Sequence, residues 1–371
     1  MQVTQSPLFM AMHDPVIHQF ISYLTERKAE QENNPELHVR IELSRDFIKS
    51  VRESFRQNIL EGERQLHVLS HLLSAILLDG EFELHSNVIG ALPDLDDRPF
   101  HIREKINRET LFSITDIDLG NQMLDNFRYR KEDQWVPLDL SANFVEYLPQ
   151  RQTSTGVNRL TSRVKAEEEL WNKVTDEIFH VDQLVSKDKH LRQYSKYVKD
   201  IFGIKIVCED EAACFDVHTK VAQLTANKPS LEQLDAQDPL SISEQLLAGK
   251  FRPEDESSEH SDRLLKFLET KDYLNCPPET LKKTGWKALK SVVQWHGRLF
   301  EIQFQPLSNY YLELDHMAGP SHKSFKIVRD AMRDDLVQQI PLYGFYRDLL
   351  KMLFLGTDVS FEYENASVAI L

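Results

Sequence analysis

The 371-residue chain has no run of about 18 consecutive apolar residues, so no membrane-spanning helix is expected. Cysteine is scarce. Cys208, Cys214 and Cys276 are the only three, none of them in a Cys-x-x-Cys pair, and they read as reduced thiols in a cytoplasmic protein. The first residues, MQVTQSPLFMAMHDP, lack a basic region followed by an apolar one, so a secretory signal is not expected. Net positive charge is missing too: 44 Lys and Arg against 59 Asp and Glu leave a formal charge of -15. That argues against a general nucleic-acid binder, which needs a basic surface or stripe, but leaves room for a local RNA contact. A hydrophobic content of 41% suffices for a real core, and the length has room for two domains.

Against this acidic background one segment reverses sign. Lys282, Lys283, Lys287 and Lys290 fall close together in LKKTGWKALK, which suggests an anionic ligand. The residues that follow alternate and are rich in β-branched and aromatic types, from Trp286 to Val293 and from Leu299 to Gln305. With His296-Gly297 as a tight turn they read as a β-hairpin. A two-residue turn pairs Trp295 with Arg298, Val292 with Glu301 and Lys290 with Gln303. Trp286, Ala288, Lys290, Glu301, Gln303 and Gln305 then share one face, and Leu289, Val293, Phe300, Ile302 and Phe304 form the core side. A polar strand face is ordinarily just solvated. A carboxylate beside lysines and an aromatic platform is also what nucleotide chemistry uses: cations for phosphates, a ring for a base, an acid for a metal or a hydroxyl proton.

Lys271-Asp272-Tyr273, Lys282-Lys283-Thr284-Gly285-Trp286 and Glu301-Ile302-Gln303 stand in the order of the Lys-Asp-Tyr, Lys-x-Asn-Gly-Tyr and Glu-Ile-Gln elements of the RelA/SpoT-family synthetase domain. Leu314-Asp315-His316 resembles that family's Leu-Glu-His element. Upstream, Asp200-Ile201-Phe202-Gly203-Ile204-Lys205 resembles its Asp-Ile-x-Gly-Ile-Arg strand, with the helix-like EDEAACFDVHTKVAQL after it. Arg163, Lys165 and Lys173 match its ATP-gripping basic residues. The resemblance spans roughly residues 150–326, and its strength lies in the order of motifs that are individually weak. Departures are Thr284 for Asn, Trp286 for the loop Tyr, Glu169 for Ser, Lys205 for Arg, Ala288 and Lys290 for Ser and His, and Gln305 for Arg. Lysine cannot fork a phosphate as arginine does.

The resemblance implies a nucleotidyltransferase-like α+β fold, a mixed sheet flanked by helices, to which apolar spacing adds a helical N-terminal region and C-terminal helices. It implies transfer of the β,γ-pyrophosphate of ATP to the 3′-hydroxyl of GDP or GTP, giving (p)ppGpp and AMP. Glu301, Gln303 and Asp200 would be catalytic, with Mg²⁺ held by Asp200 and Glu301. Arg163, Lys165, Lys173 and Lys205 would bind ATP. Lys282, Thr284, Trp286, Lys290 and His316 would bind the acceptor. Two other functions stay open: the same chemistry on an adenine nucleotide or a tRNA 3′ end, and a catalytically inactive descendant that binds nucleotide or a partner. A chance likeness ranks last. A homo-oligomer is compatible with all of them.

The expected division is residues 1–150, mostly helical, although from about Phe82 to Gln150 the pattern is mixed and carries no clear motif; 151–326, synthetase-like, with an acidic insertion at 229–262; and 327–371, closing helices. Asp14 to about Glu32 has helical spacing, Ser44 is placed to cap a long helix through Phe47, Val51, Phe55 and Ile59, and the stripe Leu66, Leu69, Leu73, Ile76 runs on to Asp79-Gly80. His67 and His71 share that helix face and could share a metal, but with no third ligand in view an ordinary helix face is the stronger reading. The single His-Asp dipeptide, His13-Asp14, has no histidine before it, so the metal-dependent hydrolase of long family members is not expected. Lys165, Glu169 and Lys173 at i, i+4 and i+8 also make a plain surface ion-pair ladder. Ile327, Val328, Met332 and Leu336, then Tyr346, Leu349, Leu350 and Leu353 after Pro341, suggest two closing helices.

Overall fold

The computed structural model describes residues 14–92, 98–125, 127–131, 133–164, 171–172, 174–175, 178–179, 201–227, 261–276, 286–317, 334, 336–355 and 363–371. Helix α1 (Pro15–Asn33) begins where Asp14 accepts from the Val16 and Ile17 amides at 2.8 and 3.0 Å, a side-chain cap that satisfies amides the first turn would otherwise leave orphaned. Strand β1 (Val39–Leu43) follows, then α2 (Arg45–Leu77), one 33-residue helix that joins both stripes seen in the sequence. Ser44 Oγ accepts from Phe47 N at 3.1 Å. Asp79 and Gly80 leave the helix with φ of 55° and 80°, the left-handed stop that glycine favours.

After Gly80 the expected helical region gives way to strands: β2 (Phe82–Leu92) and β3 (Arg98–Ile106), the short helices α3 (Arg108–Ser113) and α4 (Asp116–Asp125), the hairpin β4 (Arg128–Lys131) and β5 (Gln134–Pro137), and β6 (Asp139–Pro149). Then come β7 (Val157–Val164), β8 (Phe202–Cys208), α5 (Glu211–Ala222), β9 (Thr225–Asn227), β10 (Ser261–Arg263), β11 (Lys266–Asp272), β12 (Leu289–Trp295), β13 (Arg298–Pro306), α6 (Leu307–Met317), α7 (Tyr343–Leu350) with a π turn to Leu355, and β14 (Ala366–Ile370).

The chain divides into two compact units, residues 1–61 with 165–201 and 326–371, and residues 62–164 with 202–325. In the second unit eight strands form one mixed sheet in the order β11-β12-β13-β8-β7-β6-β2-β3, parallel only between β13 and β8. The protein is therefore α+β. The line drawn at residue 150 falls between β6 and β7, which are paired neighbours with Val145 beside Ser162. Residues 82–149 are not mostly helical; their strand pattern is obscured because polar residues such as Ser86 and Asn87 on β2 are buried.

One face of the central strands is apolar. Phe202, Ile204 and Ile206 lie with Phe300, Ile302 and Phe304, all 1% exposed or less. Helix α5, capped by Asp210, covers it with Cys214, Val217 and Val221; His218 meets the Phe304 ring edge-on at 5.1 Å. Gly62 of α2 lies directly over Phe202, where an added Cβ would be 2.0 Å from the ring.

The first unit pairs β1 with β14 in parallel, Val39 beside Ala366. Phe55, Trp171 and Phe354 stack with centroids 4.1 and 3.6 Å apart, and Tyr346 donates to Leu24 O at 3.0 Å. Of the two closing helices expected, α7 is present and Leu336 is helical, while Ile327, Val328 and Met332 lie outside the described residues. Strand β14 was not anticipated. Within the segment read as an acidic insertion, Ser261 and Asp262 belong to β10, held by pairing to Asn227 and Ala226 of β9; residues 229–260 lie outside the described set. No helix among the described residues is long and apolar enough to cross a membrane.

Candidate active site

The hairpin has the register that its sequence implies. Lys290 pairs with Gln303, Val292 with Glu301 and Trp295 with Arg298, around a turn in which His296 and Gly297 have φ of 46° and 76°, the left-handed pair that such turns require. The strand itself starts at Leu289, so Trp286 lies ahead of it.

Register across the sheet then sets side chains in rows, since directly paired residues share a face. Arg163 on β7, Gly203 on β8 and Glu301 on β13 make one row. Thr161, Lys205, Gln303, Lys290 and Lys271 make the next, across β7, β8, β13, β12 and β11. Gly203 leaves its row open: an added Cβ would meet nothing nearer than the Arg163 carbonyl at 3.7 Å. Arg163 Nε is buried with no hydrogen-bond partner among the described residues.

The polar face is not simply solvated. Glu301 is 6% exposed and Gln305 fully buried. Glu301 is ion-paired to Lys290 and accepts from Gln303 Nε2 at 2.6 Å. At the far end of the rows α6 lays Glu313 over the sheet. This carboxylate receives Lys205 Nζ at 2.8 Å, Gln305 Nε2 at 2.9 Å and Trp286 Nε1 at 3.1 Å. Burial pushes its pKa up, but the Lys205 charge and these three donors outweigh burial and hold it below the usual carboxylate value. Asn309, one turn earlier on α6, accepts from the Lys287 amide at 2.7 Å. Trp286 is thereby fixed beside the sheet, its ring edge-on to Tyr273 at 5.4 Å. Lys287 is paired with Glu211 at the start of α5, 2.9 Å away.

A second cluster continues the face across β6 and β3. Glu146, 3% exposed, pairs with Arg159 at 2.7 Å and Arg103 at 3.3 Å, and Arg159 lies over the Tyr310 and Tyr311 rings of α6 at 5.1 and 5.4 Å. A cavity of about 470 Å³ opens beyond Arg159, lined also by Arg151, Gln152, Thr153, Asn158 and Glu209.

Of the residues singled out by sequence, Arg163, Lys205, Lys290, Glu301 and Gln303 come together on one sheet face with Trp286 at its margin. Lys165, Glu169, Lys173, Asp200, Lys282, Lys283 and Thr284 lie outside the described residues, as does the side chain of His316. Glu313 and Glu146 went unrecognised. The only signal for Glu313 was its i, i+4 spacing from Asn309 on a helix. Asp272 is engaged in a turn, accepting from the Leu274 and Asn275 amides at 2.8 and 3.0 Å.

No family model matches the chain, and no curated protein matches it. Among solved structures it is similar to the small alarmone synthetase 1 from Bacillus subtilis bound to its product pppGpp, at 14% identity over 50% of this chain and 75% of that one, with a TM-score of 0.21. A second structure of that synthetase gives 12% identity, 53% and 74% coverage and a TM-score of 0.19. These likenesses are slight. They carry neither activity nor ligand to this chain.

His67 and His71, read from sequence as an ordinary helix face rather than a shared metal site, go to different partners. His71 packs edge-on against Phe82 at 5.1 Å, and burial, then the charge of Arg108, pushes its imidazole down to about 4. His67 turns to Glu63 and Asp116 instead, the partners that sequence spacing left unseen.

Proposed function

We propose that this sheet face is the active site of a RelA/SpoT-like pyrophosphotransferase acting on ATP and a guanine nucleotide. One observation carries the reading: Arg163, the open position at Gly203 and Glu301 stand in one row, flanked by Lys205, Gln303 and Lys290 in the next. Arg163, Lys165, Lys173 and Lys205 take the ATP phosphates, and Trp286, Thr284, Lys282, Lys290 and His316 take the acceptor. Mg²⁺ would be held by Asp200 and Glu301 and would neutralise phosphoryl charge. On the described side Glu301 fits that role, offering a carboxylate oxygen of the kind Mg²⁺ takes, with Lys290 as its counter-ion until then.

Gln303 orients the acceptor's 3′-hydroxyl and Glu301 receives its proton. The 3′-oxygen bonds to the β-phosphorus, the bond from that phosphorus to the α,β-bridging oxygen breaks, and AMP leaves with the electron pair. Positioning and charge neutralisation supply most of the rate.

A second reading has its own support. Lys205 and Lys290 are both ion-paired within the chain, as in a descendant that binds nucleotide or a partner without turnover. One experiment separates the two: Mg²⁺ and β,γ-labelled ATP with GDP, GTP, ATP or deacylated tRNA, for wild type and Glu301→Gln. Label on GDP or GTP, lost in the variant, supports the synthetase. Label on tRNA or ATP alone reassigns the acceptor, and ATP binding without transfer to any acceptor leaves the non-catalytic reading.

A further inference from the structure

Glu63 and His67 lie one turn apart on α2, and Asp116 opens α4 against them. One ligand atom from each lies within 4.8 Å of the others. His67 Nε2 is 3.0 Å from Asp116 Oδ1 and 3.9 Å from Glu63 Oε1, separations that two donors on one small divalent ion would show. The three residues are 6%, 2% and 4% exposed.

Ordinary structural roles account for only part of this cluster. Glu63 Oε1 accepts from the Asp116 amide at 2.6 Å and so caps α4. Asp116 Oδ2 and both ring nitrogens of His67, all buried, have no hydrogen-bond partner of ordinary geometry among the described residues. Buried polar atoms are ordinarily hydrogen-bonded, so these atoms are placed to meet a group that the chain does not supply.

We propose that Glu63, His67 and Asp116 form a buried site for a divalent first-row transition metal, of which Zn²⁺ is the best fit. Two carboxylates and one neutral imidazole together offset a 2+ ion, which a site this buried requires. The imidazole argues for Zn²⁺ over Mg²⁺ or Ca²⁺, which take oxygen ligands. Such an ion joins α2 to α4 beneath β2 and β6, and its role is structural: the residues reach no solvent from which a substrate could enter.

The test uses the full chain, stripped with a chelator, desalted, incubated with Zn²⁺ alone and passed through gel filtration before elemental analysis. Wild type and Glu301→Gln are expected to retain about one Zn²⁺ per chain. Asp116→Asn, and Glu63→Gln, which keeps the oxygen that caps α4, are expected to bind at least tenfold more weakly. Co²⁺ in place of Zn²⁺ gives a wild-type readout that needs no variant: visible ligand-field absorption, abolished by added Zn²⁺. A wild type that retains no Zn²⁺ and shows no Co²⁺ band overturns the proposal. So does full Zn²⁺ binding by folded Glu63→Gln, or its loss in folded Glu301→Gln, which would place the ion at the nucleotide face instead.

Discussion

Replacing Glu313 by Gln should move stability and nucleotide binding in opposite directions. The substitution keeps the size and an oxygen for Trp286 but leaves Lys205, 15% exposed in its side chain, without its counter-charge. At 2.8 Å and an effective dielectric constant of about 20 the lost attraction is roughly 6 kcal/mol. Desolvation of both ions cancels most of it, and the 26% exposure of the carboxylate screens more, so the net cost is about 1–3 kcal/mol. Urea unfolding monitored by fluorescence of Trp286 and its neighbours should show it as a lower midpoint at unchanged slope. ATP binding should tighten, because Lys205 no longer shares its charge with a carboxylate. Recovering about 1 kcal/mol of that charge corresponds to roughly fivefold in Kd, shrinking as salt is raised. Weaker ATP binding by a folded variant, or no change at low salt, would refute the assignment of Lys205 to the donor phosphates.

The same carboxylate gives a pH dependence. Its folded pKa is depressed below the ordinary 4.5, so the stability it contributes is fully present above about that pH and lost as pH falls through the lower folded value; acid unfolding of Glu313→Gln should be shallower across that range. Gly62→Ala ought to stabilise a mid-helix position by up to about 1 kcal/mol, yet its Cβ would fall 2.0 Å from the Phe202 ring, so a net loss of about 1–3 kcal/mol is expected and a raised thermal midpoint would contradict the packing. Lys290→Met should leave Glu301 buried without its cation and abolish transfer while sparing ATP binding; equal loss of both in a folded variant would place Lys290 on the donor side.

Sequence was most informative where local chemistry decides structure. The register of β12 and β13 follows from alternation plus two turn residues able to adopt positive φ, and α1 and α2 follow from Asp14, Ser44 and Gly80 at their ends. Glu313 was opaque for the converse reason. A carboxylate on a helix becomes a hub only when α6 lies on β8 and β13, and nothing in LSNYYLELDHM announces that Lys205, more than a hundred residues earlier, will meet it. Likewise Glu63 and His67 have the spacing of any ion pair on a helix, and the third member, Asp116, is supplied by tertiary packing. Residues 82–149 were hard to read because β2 and β6 bury polar side chains, which erases the two-residue period.

The pairing of β1 with β14 has a consequence for the order of events in the cell. Val39 to Leu43 are made early, but their strand partner, Ala366 to Ile370, follows more than 300 residues later. At about 5–20 residues per second that is roughly 15 to 65 s, during which all of the eight-stranded sheet is synthesised and β1 has both ladder edges unfilled. An unpaired strand of this kind is a template for a neighbouring nascent chain. The first unit is therefore closed on the clock of the ribosome, and slowing translation should lengthen its exposure without touching the sheet.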